Sequence, residues 1–140
     1  MRISIENGKL CDPSNKLDGK QDIFIADGKI VAFKKKPEGF KSDIKIDAKD
    51  KIIIPGLVDL CARLREPGFG KKGTFKSELN AANSNGVTSI CMPPDTAPIV
   101  DTPAVVEFIR QRARETNRAN IYPLGALTQE LKGEQLAEMY

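Results

Sequence analysis

The sequence contains no histidine and no tryptophan among its 140 residues. Histidine is the usual acid–base group at neutral pH and the commonest metal ligand in proteins. Any mechanism that needs an imidazole from this chain is therefore excluded. The shortage of aromatic residues, with only two tyrosines, also argues against a surface on which nucleic-acid bases would stack.

Long apolar runs are also missing from the sequence. The longest extends from Ile52 to Leu60 and is interrupted by Pro55, Gly56 and Asp59. A membrane-spanning helix needs roughly 20 apolar residues, so no membrane partner is predicted. The first residues, Arg2 to Ile5, form no apolar signal core, and a cytoplasmic protein is expected.

Paired cysteines and concentrated charge are equally scarce. Cys11, Cys61 and Cys91 are an odd number of cysteines without a C-x-x-C pair, which predicts neither a disulfide framework nor a structural zinc site. The net charge is +3, and the one basic run, Lys34 to Lys36, is typical of a solvated loop. Nucleic-acid binding proteins carry a concentrated basic face, so no nucleic-acid partner is predicted.

The first part of the chain, residues 1–53, has the pattern of short strands separated by turns. Asp27-Gly28 lies between two runs rich in β-branched and aromatic residues, which predicts a hairpin with a two-residue type I′ turn. Alternation of polar and apolar residues from Arg2 to Ile5 and from Ile44 to Ile46 predicts further strands. Together these indicate a small antiparallel sheet.

The remainder, residues 54–140, alternates strands and helices. The pattern predicts a buried parallel strand over 52–60, helices over 74–85 and from Thr102, strands over 87–92 and 120–127, and a helix over 133–140. This α/β alternation implies right-handed βαβ units and a parallel sheet. Three such units cannot close a barrel of eight, so we expect a piece of a larger fold, or an oligomer in which another chain completes it. A last helix that runs to the final residue favours the piece.

Three segments resemble dihydroorotases. They are Ile54-Pro55-Gly56-Leu57-Val58-Asp59-Leu60 with Leu64-Arg65-Glu66-Pro67-Gly68, then Gly86-Val87-Thr88-Ser89 with Pro94-Asp95-Thr96, then Ile121-Tyr122-Pro123-Leu124-Gly125. The resemblance extends over the whole chain in order. It implies that residues 1–53 form part of a small β-sandwich and that residues 54–140 form the first three βα units of a TIM barrel of the amidohydrolase kind.

The resemblance also implies a zinc site, which this chain has altered. The family carries a His-x-His pair at the end of the first barrel strand, and Cys61 and Arg63 occupy those positions here. A cysteine thiolate can bind zinc in principle, whereas an arginine carries a fixed positive charge and has no lone pair to donate. We therefore predict no metal, no cofactor and no catalytic residue in this chain.

Two residues of this chain match positions that bind substrate in the family. Arg65 matches an arginine that holds the substrate carboxylate, and Asp95 stands where the family has an asparagine. Residual carboxylate binding by Arg65 is one interpretation. The preferred interpretation is that Arg65 pairs with its loop neighbours or with Asp95, and that Arg63 pairs with Asp59 or Asp95.

The cysteines that end neighbouring predicted strands allow two interpretations as well. Cys61 and Cys91 are either a redox or metal-binding pair, or two small buried apolar residues, and the second interpretation is preferred.

Two functions from different classes follow from these observations. The first is a non-catalytic, dihydroorotase-like protein of pyrimidine biosynthesis that acts as a structural partner of aspartate carbamoyltransferase, as the resemblance to the family's inactive members implies. The alternative is a metal-dependent cyclic amidohydrolase, of which this chain is the N-terminal portion.

Overall fold

A computed structural model describes residues 1–138 and divides the chain into two compact units, Met1–Pro55 and a second unit that begins at Gly56. The division falls at Pro55-Gly56. Proline has no N–H to donate to a strand ladder, and pairing changes from one sheet to another at this point. The two units are described separately below.

The first unit consists of seven short strands in two sheets. They are β1 (Arg2–Glu6), β2 (Lys9–Asp12), β3 (Leu17–Lys20), β4 (Ile23–Ala26), β5 (Lys29–Phe33), β6 (Ile44–Asp47) and β7 (Ile52–Ile53). The first sheet has the order β5-β4-β1-β6 and the second has the order β3-β2-β7.

The predicted hairpin is confirmed, but the sheet is not purely antiparallel. Asp27 and Gly28 both have positive φ, at 50° and 75°, as a type I′ turn between β4 and β5 requires. However, β6 pairs with β1 in parallel, and β7 pairs with β2 in parallel. The prediction of an antiparallel sheet was wrong because it took strands that follow each other in sequence to be neighbours in space.

The core of the first unit forms around Phe24 and Phe40. Their rings meet edge to face with centroids 5.4 Å apart, and the guanidinium of Arg2 lies 5.8 Å from the Phe40 ring centroid. The Ser4 hydroxyl, fully buried beside them, accepts from Ser42 and donates to Glu6. Among residues 1–138, no buried side-chain nitrogen or oxygen lacks a hydrogen-bond partner, as burial demands.

The second unit is a three-stranded parallel sheet with two helices. Its elements are β8 (Leu57–Asp59), α1 (Phe75–Ser84), β9 (Val87–Met92), α2 (Pro103–Thr116) and β10 (Asn120–Pro123). The strand order is β10-β9-β8, so β9 is central and the other two strands are edges.

Both helices begin where the sequence predicts. Thr74 accepts from the Ser77 N–H, and the Ser77 side chain accepts from the Thr74 N–H in return, which is a capping box. Pro103 occupies the first turn of α2, where its missing N–H has no cost. Gly86, after the last residues of α1, has φ of 83°, the left-handed conformation that ends a helix.

Three sequence predictions are wrong in this unit. Residues 52–60 form no single buried strand, since β7 and β8 belong to different sheets and all of β8 is exposed at a sheet edge. The strand predicted over 120–127 ends at Pro123. The helix predicted over 133–140 is absent from residues 133–138, which follow a short 3-10 turn over Gln129–Leu131, and its last two residues lie outside the described part.

The core of the second unit lies between the sheet and the two helices. Its members are Leu64, Phe75, Leu79, Ile90, Met92, Val100, Ile109, Ala113 and Ile121. Leu79, Val100 and Ile109 have no exposed surface at all, so this small sheet still encloses a packed interior. Within residues 1–138, no helix is long and apolar enough to cross a membrane.

Candidate functional site

The segment that follows β8 alternates between the core and the surface. Ala62 packs against the core and Leu64 is buried within it, whereas Cys61, Arg63 and Arg65 are exposed. A period of two is that of extended backbone. Extended backbone therefore exposes Cys61 and Arg63 on one side and anchors Ala62 and Leu64 on the other. The exposed Arg65 follows with φ of 67°, outside the extended region.

A second loop, which follows β9, brings Asp95 to Arg63. The Arg63 Nε donates to the Asp95 Oδ2 at 2.6 Å, and both side chains are about half exposed. The bonded guanidinium lowers the pKa of Asp95 below its usual range, and the carboxylate in turn raises the pKa of Arg63. Of the two partners predicted for Arg63, the structure selects Asp95. The Oδ1 of Asp59 instead accepts from the Cys61 N–H at 2.9 Å.

The two loops are also joined through their backbones. The Ala97 N–H donates to the Pro67 carbonyl at 3.2 Å. Gly68, with φ of 97°, lies so close to Ala97 that a Cβ would come within 2.6 Å of its carbonyl oxygen. Next to Ala97 in the chain, the buried Thr96 donates its hydroxyl to the Pro98 carbonyl at 2.6 Å. The ion pair therefore sits on a backbone framework that does not depend on it.

Glu66 connects the first loop to both helices. Its Oε2 accepts from the Phe75 N–H at 2.5 Å, at the first residue of α1, and its Oε1 lies 4.0 Å from a guanidinium nitrogen of Arg112 on α2. A carboxylate is favoured at a helix N-terminus by the helix dipole. In the sequence, Glu66 stands within the motif Leu64-Arg65-Glu66-Pro67-Gly68, and no role was predicted for it. The signal available was its position nine residues before a capped helix.

Arg65 does not form the ion pair preferred for it. Among residues 1–138 its side chain has no salt-bridge partner, and it lines a small recess with Arg63, Phe69, Met92 and Asp95. Its backbone has φ of 67°, and its carbonyl accepts from the Phe69 N–H at 2.8 Å. Binding of a carboxylate by Arg65 and any contact between Asp95 and a substrate stay predictions.

The exposure of the cysteines departs from the preferred interpretation at one position. All three thiols are free, Cys61 is exposed, and Cys91 is partly buried. The prediction that Cys61 is a small buried apolar residue was wrong, because the alternation of this segment places residue 61 on the exposed side together with Arg63.

The residues present do not fit the zinc ion that the family resemblance implies. Nowhere in residues 1–138 do three or more histidine, cysteine, aspartate or glutamate side chains come together as a metal would require. Cys61 offers a sulfur atom beside the site, and Asp95 is engaged by Arg63. A guanidinium at this position would also repel a divalent cation.

Comparison with known proteins identifies the relatives of this chain. The family of proteins described as dihydro-orotase-like matches residues 50–140. A dihydroorotase-like protein of Pseudomonas aeruginosa is 49% identical over 139 residues, and one of Pseudomonas putida is 48% identical. A dihydroorotase of Syntrophotalea carbinolica is 37% identical over 139 residues. These alignments cover 99% of this chain but only 32–33% of the relatives, so the chain spans about a third of their length.

Solved structures of similar fold include hydantoinases. The L-hydantoinase (dihydropyrimidinase) of Arthrobacter aurescens superposes with a TM-score of 0.79 and 22% identity, over 90% of this chain and 28% of that one. A D-hydantoinase superposes with a TM-score of 0.68 and 23% identity, over 94% of this chain and 29% of that one. These likenesses support the fold, and the sequence match identifies the lineage. The chain belongs to the dihydroorotase-like family.

Proposed function

We propose that the protein is a non-catalytic, dihydroorotase-like protein of pyrimidine biosynthesis that acts as a structural partner of aspartate carbamoyltransferase. The observation that carries the proposal is the ion pair between Arg63 and Asp95. It occupies the position at which the resemblance implies a metal-ligand histidine and a substrate-binding asparagine. Two positions that the resemblance makes functional therefore hold groups that pair with each other in this chain.

The identities of the relatives support the same proposal. Proteins named dihydroorotase-like protein are 48–49% identical to this chain, whereas those named dihydroorotase are 37–39% identical. The chain is thus more similar in sequence to these relatives named dihydroorotase-like protein than to those named dihydroorotase.

Arg65 favours the alternative, a metal-dependent cyclic amidohydrolase of which this chain is the N-terminal portion. Its guanidinium is exposed and lacks an ion-pair partner within the described residues, as a group that binds a substrate carboxylate would be. On this alternative, zinc would be held by donors outside these 140 residues.

Zinc content and turnover separate the two functions. We expect protein purified without chelators to contain far less than one zinc per chain, and neither to form nor to hydrolyse dihydroorotate above background when zinc is added. Stoichiometric zinc together with zinc-dependent turnover would establish the amidohydrolase instead. Replacing Cys61 and Arg63 by histidine should not restore activity to these 140 residues, since two histidines alone do not complete a catalytic zinc site.

Binding to the carbamoyltransferase is tested separately. The protein and the aspartate carbamoyltransferase of the same organism are produced together and passed over a gel-filtration column at low and at moderate ionic strength. We expect one assembly at both salt concentrations, because a net charge of +3 contributes little to affinity and apolar contact would dominate. Separate elution of the two proteins at both salt concentrations would contradict the proposal that they bind each other.

A further inference from the structure

Two of the three cysteines lie in the strands that carry the candidate site, and the proposed function uses neither of them. Cys61 is exposed, Cys91 is partly buried, and both thiols are free. The exposure of Cys61 is unusual for a cysteine that serves only as a small apolar residue, since such cysteines are among the most buried residues in proteins. It favours the other interpretation of these residues, a reactive pair.

Backbone pairing places the two cysteines level with each other. Asp59 lies opposite Ile90 at the end of the ladder between β8 and β9. Beyond it, the Ala62 N–H donates to the Cys91 carbonyl at 3.1 Å. The bonds of a parallel ladder are slanted, so a carbonyl accepts from the residue that follows the one opposite to it. Cys61 is therefore opposite Cys91, with one extra residue of the first strand between the two pairs.

The two cysteine side chains also share one face of the sheet. Ala62 packs against the core of the second unit, and Met92 is buried within it. Successive side chains of extended backbone point to opposite faces. The cysteines that precede these two residues, Cys61 and Cys91, therefore both point away from the core.

The spacing of the strands suits a disulfide between these cysteines. Paired strands lie about 4.8 Å apart, and the Cα atoms that a disulfide joins are usually about 4.4–6.8 Å apart. Both residues belong to the second unit, so the pairing requires no segment outside it. Cys11 belongs to the first unit, on β2 opposite Asp18, and serves as an internal control.

From these observations we propose that Cys61 and Cys91 form a dithiol that a peroxide converts into a disulfide and that a small thiol reduces again. The exposed Cys61 reacts first. Its sulfur attacks a peroxide oxygen, the O–O bond breaks, and Cys61 becomes a sulfenic acid. The Cys91 sulfur then attacks the Cys61 sulfur, the S–O bond breaks, and water leaves. Two thiols are thus oxidised by two electrons while hydrogen peroxide is reduced to two waters.

The disulfide would change the second unit in two ways. It would join the edge strand β8 covalently to the central strand β9, and it would remove the free sulfur beside Arg63. The proposal goes beyond the proposed function and does not depend on it, because neither zinc content nor binding of the carbamoyltransferase enters the reaction.

Peptide mapping tests the proposal directly. Trypsin cleaves after lysine and arginine, so residues 10–16, 52–63 and 77–110 form three peptides with one cysteine each. The protein is treated with an equimolar amount of hydrogen peroxide, blocked with iodoacetamide and digested without a reductant. We expect peptide 52–63 to be linked to peptide 77–110, with a mass about 2 Da below the sum of the two reduced peptides because two hydrogens leave. Dithiothreitol should separate them, and Cys11 should be recovered alkylated.

Matched serine variants identify the partners and add a second measurement. Cys61→Ser and Cys91→Ser should each abolish the linked peptide, whereas Cys11→Ser should leave its yield unchanged. The oxidised protein should also unfold at a temperature several degrees higher than the reduced protein, because a cross-link constrains the unfolded chain. Cys61→Ser should show no such rise after peroxide treatment. Cys91→Ala takes the place of Cys91→Ser if circular dichroism shows that the serine variant does not fold.

Three outcomes would overturn the proposal. Peroxide might oxidise Cys61 to a sulfinic acid while Cys91 is recovered alkylated, which would show that the two thiols do not meet. Peptides linked through Cys11 in equal yield would show random cross-linking. A dimer on a non-reducing gel that is lost in Cys61→Ser, without the internal link, would assign the reactivity of Cys61 to pairing between two copies of the chain.

Discussion

Arg63 and Asp95 determine the electrostatics of the candidate site. Both line the recess, and the positive charge of Arg63 neutralises the negative charge of Asp95 there. Both are partly exposed, and exposed ion pairs contribute little to stability compared with buried ones. The framework of Gly68 and Ala97 holds the two loops together independently. The pair therefore sets the chemistry of this position more than it sets the stability of the fold.

Replacing Asp95 by asparagine should lower the unfolding temperature slightly at neutral pH. The pKa of Asp95 is lowered in the folded protein, chiefly by its bond to Arg63. The stabilisation is thus complete above the unfolded-state pKa near 3.8 and disappears as the pH falls through the lower folded-state value. Thermal melts from neutral to acidic pH should show the two proteins converging at the acidic end.

Asp59→Asn is the matched control for that series. It also removes a carboxylate, but it retains an oxygen that can accept from the Cys61 N–H, so we expect a smaller change at neutral pH. If Asp95→Asn and the unaltered protein unfold at the same temperature at neutral pH, the ion pair adds nothing to stability.

Gly68→Ala should be strongly destabilising. The residue has φ of 97°, and an added Cβ would come within 2.5 Å of the Ala97 Cβ and 2.6 Å of its carbonyl oxygen. Strained backbone of this kind costs about 1–3 kcal/mol, before the clash is counted. Gly70→Ala in the same loop meets nothing nearer than 3.9 Å and should change the free energy of unfolding far less. Chemical denaturation of both variants measures the difference, and equal losses would contradict the steric argument.

At the scale of elements, local chemistry made the helices and the hairpin predictable. Thr74, Pro103 and Gly86 contact or shape only backbone a few residues away. Their roles at the helix ends can therefore be predicted from the neighbouring residues in the sequence. Strand β8 was mispredicted because its apolar composition is that of a buried strand, whereas its exposure depends on whether a neighbouring strand is present. The hydrophobic pattern of a strand shows which residues are apolar, but it does not show whether another strand or helix packs against them.

The candidate site was predictable to the same degree. Residue type alone indicated that Arg63 could not bind a metal and would need a carboxylate. The choice of Asp95 over Asp59 depended on the contact between two loops, which no local pattern encodes. The link from Glu66 to α1 was missed for that same reason, and the preferred ion pair for Arg65 is not found among residues 1–138.

Thr74→Ala should reduce the free energy of unfolding by about 1 kcal/mol, the usual contribution of a side-chain cap. Thr74 accepts from the Ser77 N–H and takes part in a reciprocal capping box. Thr102 occupies the equivalent position before α2 but makes no side-chain capping bond, so Thr102→Ala should have a clearly smaller effect. Denaturant titrations of the two variants provide the comparison, and equal losses would show that the cap of α1 is not the source of the difference.

At the scale of the whole molecule, one sheet edge leaves large apolar side chains exposed. Leu57 and Val58 in β8 are 46% and 59% exposed, and Leu60 just after it is 73% exposed.

These 140 residues should therefore self-associate at micromolar concentration through the edge strand β8. An unpaired apolar strand edge is a template for pairing with another chain, and a lysine placed on it opposes that pairing. We expect Val58→Lys to shift association to about tenfold higher concentration in sedimentation equilibrium. Phe108→Lys, at a comparably exposed position on α2, should leave association unchanged. A monomer with a cooperative melt at these concentrations would contradict the prediction.

Ala62 and Leu64 contact the core, whereas Cys61, Arg63 and Arg65 are exposed. Selection for stability therefore acts on the first two residues, and selection for the chemistry of the site acts on the other three. Substitutions at the three exposed positions alter the chemistry without removing any of the packing that keeps the unit folded. Such positions drift readily during evolution, because their first substitutions escape the purging that follows a loss of stability. If the family's metal ligands stand at these positions, as the resemblance implies, exchanging them for an ion pair would leave the packing of Ala62 and Leu64 in place. The backbone would still superpose on that of hydrolases throughout the exchange.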